Sequence, residues 1–175
     1  MRARGVAWPG RALAAVAVAA MLVGCGAHSL TASGLFRSQK GYRVAIPSDA
    51  WAAVSGSEAD LEIRHRSARV GILVFASCEP GRAGRPFSVL RRHLLLGLAD
   101  RVVLERHEVT LAGRPARRLL LEAAPEAGAE RMRIEAWTMT DGRCVYDLAY
   151  AAPPAQFGTW HEDFARVLGS FTVEP

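Results

Sequence analysis

The run from Arg101 to Ala151 constrains the fold most. Four strand-like stretches, Arg101 to Leu111, Arg114 to Ala123, Glu130 to Thr140 and Arg143 to Ala151, are joined in pairs at Ala112-Gly113 and Asp141-Gly142. A two-residue Asp-Gly connection suits a type I′ turn, which needs positive φ at both positions. Two such hairpins in succession commit the chain to an antiparallel sheet. A two-residue turn at Asp141-Gly142 also predicts Trp137 opposite Tyr146, a favourable aromatic cross-strand pair. The stretch Ala124 to Ala129 (APEAGA) reads as the loop between the hairpins.

Upstream, Gly41 to Pro47 alternates Tyr42, Val44 and Ile46 with Arg43 and Ala45, a strand stopped by proline. Trp51 falls in a loop or short turn. Leu61 to Arg66 alternates again. Arg69 to Ala76 is nearly all apolar and predicts a central strand buried on both faces. After the Gly81 to Pro86 loop, Pro86 opens a helix in which Phe87, Leu90, Leu94 and Leu98 form one apolar stripe. Pro153-Pro154 admits a second helix, with Phe157, Trp160, Phe164, Val167, Leu168 and Phe171 at helical spacing. The expectation is an α+β domain, an antiparallel sheet of six to seven strands with two packing helices.

The amino terminus carries an address. Arg2, Arg4 and Arg11 precede an uncharged run, Ala12 to Gly24, with no acidic residue among them. Thirteen helical residues rise about 20 Å, short of the roughly 30 Å hydrocarbon core, so this is a signal-peptide core and not a span. It ends in Leu22-Val23-Gly24-Cys25, which resembles the lipobox of bacterial lipoproteins. The resemblance implies cleavage before Cys25 and acylation of that cysteine. One acyl chain holds a membrane only marginally, whereas two or three anchor durably. No Asp follows Cys25, which in the enterobacterial sorting pattern implies the outer membrane. Residues 1–24 therefore read as lipoprotein signal peptide, 25–38 as acylated cysteine and tether, and 39–175 as one domain.

The opening GYRVAIPSDAW and the closing Ser170-Phe171 resemble the Mog1/PsbP-like domains and DcrB-like bacterial lipoproteins. The segments RRHLLLGLADRVVLERHEVTLAGRPARR and YDLAYAAPPAQF are also similar to uncharacterised deltaproteobacterial lipoproteins. The resemblance implies an antiparallel sheet between helices. It carries no catalytic signature, and fold does not fix function.

The sequence offers no catalytic motif, so no enzymatic activity, metal or cofactor is expected. With Cys25 lipidated, Cys78 and Cys144 remain as an even pair in an exported domain. A disulfide is the leading reading and two buried thiols the alternative. His65, His93, His107 and His161 lack ligand spacing. His161-Glu162-Asp163 diverge by about 100° per residue on a helix and do not converge on one ion. Strand acids Glu105, Glu108, Glu122 and Glu135 are expected to face water, and Asp147 to pair with an arginine such as Arg133. Ser55, Ser57 and Ser88 lack a nucleophile's setting, and Gly81 to Gly84 lacks phosphate-loop spacing.

The formal charge is +5, and three of the 22 basic residues lie in the signal segment. The mature chain thus carries 19 basic against 17 acidic residues, +2, too little to expect a nucleic-acid partner. Arg114, Arg117, Arg131 and Arg133, with Trp137 and Tyr146, make a possible binding face toward an envelope protein or a glycan. The expected role is a lipid-anchored, periplasm-facing binding or accessory module. The alternatives are a carrier holding an apolar ligand near Trp137, Tyr146 and Trp160, and an enzyme with an unrecognised site.

Overall fold

The computed structural model describes residues 28–85 and 97–174. Eleven strands, a 3₁₀ turn and one α-helix occur among them. The strands are β1 (Ser29–Leu30), β2 (Leu35–Ser38), β3 (Tyr42–Ala45), β4 (Trp51–Ala53), β5 (Leu61–His65) and β6 (Gly71–Ser77), then β7 (Ala99–Leu111), β8 (Arg114–Ala124), β9 (Met132–Thr140), β10 (Val145–Ala152) and β11 (Thr172–Val173). The helix α1 is His161–Ser170. Seven strands form one antiparallel sheet in the order β4-β5-β6-β10-β9-β8-β7, and the others form a smaller sheet, β1-β2-β3-β11. The expected single sheet of six to seven strands divides: the expected strand Gly41 to Pro47 is β3 of the small sheet, and β4, which was not expected, completes the seven strands of the large one. The expected helix from Pro86 lies outside the described residues up to Leu96, as does Cys25.

The small sheet arises where a tether was expected. His28 to Ser38 contributes β1 and β2, and Phe36 and Ser38 are buried. Trp51, expected in a loop, opens β4 opposite His65. Its indole N–H donates to Asp163 at 2.9 Å, which fixes α1 over the sheet. The helix begins later than the spacing of its aromatic residues suggests. Tyr150 Oη donates to the Phe157 carbonyl at 2.8 Å, occupying the acceptor that a helical His161 N–H would use. Pro154–Gln156 is therefore a 3₁₀ turn, and the α-helix starts after Trp160.

The two hairpins differ. At Ala112-Gly113 both residues have positive φ, 50° and 74°, and Leu111 pairs with Arg114, a two-residue turn. At Asp141 the side chain takes over. Its Oδ1 accepts the Arg143 and Cys144 N–H groups at 2.8 and 2.7 Å, so the loop spans Asp141 to Cys144. The register moves by two residues: Trp137 faces Leu148, and Tyr146 faces Met139. The predicted Trp137–Tyr146 pair is thus a diagonal one.

One face of the large sheet carries Ile63, Ile72, Val74, Met139, Tyr146, Leu148 and Tyr150, packed with Tyr42, Phe164 and Phe171 in a single core. The other face holds a smaller cluster of Leu119, Leu121 and Ala123, with Leu98 and Ile134 against it. β6 alternates buried and half-buried residues, so it is internal to the sheet without being equally buried on both faces.

Candidate functional site

Two polar constellations stand out, one structural and one open. The structural one centres on Glu135, 1% exposed on the core side of β9. Strand geometry places it on the same face as Trp137, two residues on, and the register sets Arg118 opposite Trp137. Glu135 accepts from Arg118 Nη2 at 2.9 Å, from Trp137 Nε1 at 2.8 Å and from His161 Nε2 at 2.9 Å. Burial pushes its carboxyl up. The three donors, with the charge of Arg118, outweigh that and hold it below the usual carboxylate range. Its two oxygens together meet three fixed donors, from β8, β9 and α1, so this is a clamp between sheet and helix. Glu135 was expected to face water, and the structure buries it. His161, Glu162 and Asp163 diverge, toward Glu135, Arg166 and Trp51 respectively.

The open constellation is a cleft of about 650 Å³ beside Cys78, lined by Lys40, Glu58, Asp60, Ser77, Arg82 and Asp147 among others. Lys40 lies in the β2–β3 turn and donates through Nζ to Asp60 Oδ1 at 2.6 Å and to the Ala76 carbonyl. Asp60 Oδ2 accepts from the Ala76 N–H at 2.8 Å and from Tyr42 Oη at 3.2 Å. Asp60 thus joins the small sheet to β6; burial of Tyr42, with the Asp60 charge adding to it, drives the Tyr42 hydroxyl well above its ordinary range.

Asp147 lines this cleft with no cationic partner in hydrogen-bond contact among the described residues. It accepts from Thr138 Oγ1 at 2.5 Å. The expected Arg133 partner instead donates twice to Glu122, at 3.1 and 2.7 Å. Burial pushes Asp147 up to about 6, against the opposing pull of Thr138 and Arg82. Arg82 Nη1 reaches Glu79 at 3.2 Å, while its Nε is buried without a hydrogen-bond partner. The cleft brings the Asp147 carboxyl and the Arg82 guanidinium to one surface. No histidine lines it, and its lysine is already engaged.

The sign of the Asp147 shift gives a test. Its folded pKa lies above the ordinary 3.8, so its ionisation opposes folding. The penalty is absent below about pH 4 and complete above about pH 6. Two pKa units correspond to about 3 kcal/mol, and access of water to the cleft reduces this to about 2. Asp147→Asn keeps an acceptor for Thr138 and should raise unfolding free energy by about that much at pH 7, and by little at pH 4. Urea unfolding at both pH values measures it; an equal effect at both, or destabilisation at pH 7, would sink the assignment.

The residues expected to form a binding face separate. Tyr146 is fully buried, in ring contact with Tyr42 and Phe171. Trp137 is half-buried against the core. The register places Arg114 and Arg133 on the α1 side of the sheet and Arg117 on the other. Arg117 pairs with Glu108 at 2.5 Å, Arg131 donates to the Asp100 carbonyl at 2.8 Å, and Arg133 lies over the Phe157 ring. His107 is exposed beside Glu105. His65 is buried between the rings of Trp51 and Trp160, with the Ser67 N–H donating to its Nδ1. His93 lies outside the described residues. Cys78 and Cys144 are disulfide-bonded, with Cα atoms 4.1 Å apart. The sequence reading missed Asp60 and the burial of Glu135.

Among known proteins, no family model matches the chain, and comparison with curated proteins gives no match. Solved structures match in fold. A cyanobacterial PsbP (CyanoP) from Synechocystis sp. PCC 6803 has a TM-score of 0.59 at 18% identity, covering 87% of this chain and 98% of that one. LpqN of Mycobacterium tuberculosis, involved in cell envelope biogenesis, has 0.59 at 16%, covering 79% and 87%. PA94 of Pseudomonas aeruginosa, a protein of unknown function and putative regulator, has 0.53 at 14%, covering 86% and 99%. The domain has the PsbP-like fold.

Proposed function

We propose that this chain is a lipid-anchored envelope protein whose PsbP-like domain is a binding or accessory module facing the periplasm, with the outer membrane as its site. The observation that carries the binding role is the outer edge of the large sheet. β7 runs thirteen residues and, among the described residues, pairs with β8 alone. Along it Val102, Val103 and Leu104 are exposed by 48%, 38% and 44%. Long apolar edges invite pairing, and exposed apolar patches mark interaction sites.

Other features support this reading over its rivals. Tyr42, Tyr146, Tyr150, Phe157, Phe164 and Phe171 fill the space between sheet and helix with ring contacts, which leaves the carrier reading without a chamber among the described residues. The cleft beside Cys78 is lined by the carboxylates Glu58, Asp60, Glu79 and Asp147 with no histidine or free thiol among its lining residues, which disfavours the enzyme. An envelope role is also the one given for LpqN, a neighbour in fold. The anchor rests on Leu22-Val23-Gly24-Cys25. Among the described residues no helix is long and apolar enough to cross a membrane.

Two measurements test the two halves of the proposal. Mass spectrometry of the protein from its native membrane should find an amino-terminal, acylated Cys25, and Cys25→Ser should remove the acyl chains; an unmodified terminus elsewhere refutes the anchor. Affinity capture from detergent-solubilised envelopes should retain a defined component with the natural chain and lose it with Val103→Asp. Identical recoveries with both chains refute the binding edge.

A further inference from the structure

We propose that the end of the small sheet where β1 begins rests on the phospholipid surface, with Arg37, Arg43 and Arg143 against lipid phosphates. The inference rests on the acylation of Cys25 and fixes how the anchored domain stands on its membrane.

The chain between anchor and fold is short. His28 already belongs to the domain: its ring centroid lies 5.4 Å from that of Phe36, and its Nε2 is 4.0 Å from Asp60 Oδ1. Cys25 precedes His28 by three residues. At about 3.8 Å per step, its Cα lies within roughly 11 Å of the His28 Cα in any conformation. The headgroup layer is itself about 5–7 Å thick on each side of a bilayer, so much of this reach is spent inside it. The tether expected over 25–38 is thus reduced to Gly26 and Ala27. The β1–β2 register sets Ser29 against Arg37, so β1 begins beside the β2–β3 turn. An acylated Cys25 therefore brings that turn to the headgroups.

The surroundings of the turn are basic. From Cys25 to Ser48 the chain carries Arg37, Lys40 and Arg43 and no acidic residue. Arg37 and Arg43 are exposed and directly opposite each other across β2 and β3. Like charges so placed repel, and an anion between them relieves the repulsion. Arg43 Nε donates to Thr172 Oγ1 at 2.8 Å, and Arg43 meets no carboxylate among the described residues. Arg143 joins them from the β9–β10 loop. Its Nη2 donates to the Glu174 carbonyl at 3.0 Å, and the Glu174 N–H donates to the Gly41 carbonyl at 2.7 Å. The carboxylates paired with these cations are Asp60, Asp141 and Glu174. The first two have side chains 7% and 2% exposed and are tied to backbone N–H groups, which leaves Glu174, 3.7 Å from Arg37, as the one facing solvent. Guanidinium forks match the oxygens of a phosphate. The short tether keeps the patch at high effective concentration near the headgroups, so a modest attraction is enough to set the orientation. That orientation suits the docking edge. β9 runs nine residues, about 30 Å, from this end to the β8–β9 loop. Val102 and Val103 of β7 pair with Glu122 and Leu121 near the far end, away from the membrane.

Fluorescence quenching in the acylated full chain, reconstituted into vesicles of phosphatidylcholine and phosphatidylglycerol, is the test. With Cys25 acylated and Cys78 and Cys144 bonded, an introduced cysteine is the labelling site. A fluorophore on Gln39→Cys, in the β2–β3 turn, should be quenched by spin-labelled headgroups, and one on Glu126→Cys, in the β8–β9 loop, should not. Arg37→Gln, Arg43→Gln and Arg143→Gln combined should lower the docked-to-undocked ratio read at residue 39 by about fivefold for each arginine removed. Near-UV circular dichroism checks that this variant is folded, because Arg43 also donates to Thr172. Mass spectrometry of the same sample reads the acylation. An acylated chain with equal quenching at both positions, or with none at residue 39, overturns the seating while leaving the anchor intact. Quenching at residue 39 that does not respond to the arginine replacements in a folded protein overturns the phosphate contact. A chain without acyl groups refutes the anchor, and the seating with it.

Discussion

Glu135→Ala is expected to destabilise the protein by roughly 3–5 kcal/mol at pH 7, the range for breaking a buried ion pair. The truncation leaves the Trp137 indole N–H and His161 Nε2 without their acceptor, and Arg118 without its inner carboxylate. Arg118 keeps Glu105, and His161 is partly exposed, which favours the lower half of the range. Glu135→Gln should fall between the two, because its amide nitrogen must face a donor. The pH dependence has a definite sign. The folded pKa of Glu135 lies below its ordinary value of 4.5, so ionised Glu135 contributes stability that is present above pH 4.5 and lost as pH falls through the lowered folded value. The gap between natural and variant chains should be full at pH 7 and narrow below pH 4.5, opposite to Asp147. Urea unfolding at pH 7 and pH 3.5 measures both; a gap under about 1 kcal/mol at pH 7 would show that Glu135 is an ordinary core filler.

Much of the large sheet was legible because its strands are punctuated by turn residues and alternate in polarity. β5, β6 and the four strands of the two hairpins lie within a residue or two of their expected positions, as does β3 of the small sheet. The small sheet as a unit was not legible, since Leu35–Ser38 is short and β11, which pairs with β3, arrives from the far end of the chain. Nothing local in a four-residue strand announces a partner 130 residues away. The Asp141 turn misled for a chemical reason: an aspartate side chain that caps two N–H groups is as good a turn-former as positive φ. The burial of Glu135 had a usable signal. Trp137 was paired across the hairpin with Tyr146, and a residue two positions earlier on a strand shares its face. Asp147 was visible as the lone acid in an apolar strand, but its partner was not, because Thr138 follows from a register displaced by two residues. The open edge of β7 could not be read locally, since edge and interior strands have the same alternation until the sheet order is known.

The disulfide is the feature whose removal should be felt most widely. Cys78 follows β6 and Cys144 precedes β10, and these are antiparallel neighbours with Ser77 opposite Val145. The sulfurs meet because the end of one strand lies beside the start of the other, the geometry expected from the sequence. The bond spans 66 residues of chain. Closing a loop of that length restricts the unfolded ensemble by an amount worth about 4 kcal/mol. The folded state gains little from the bond directly, since β6 and β10 already pair along seven residues. Cys78→Ala with Cys144→Ala should therefore retain the fold, with unchanged near-UV circular dichroism, while losing about 4 kcal/mol of a typical 5–15. In urea, with a slope of about 2 kcal/mol/M, the midpoint should fall by roughly 2 M. Reductant should shift the natural chain's midpoint by a similar amount and leave the double variant unmoved. Two reactive thiols from Cys78 and Cys144 in the denatured, unreduced protein would refute the bond, and a midpoint shift under about 0.5 M would refute its thermodynamic weight.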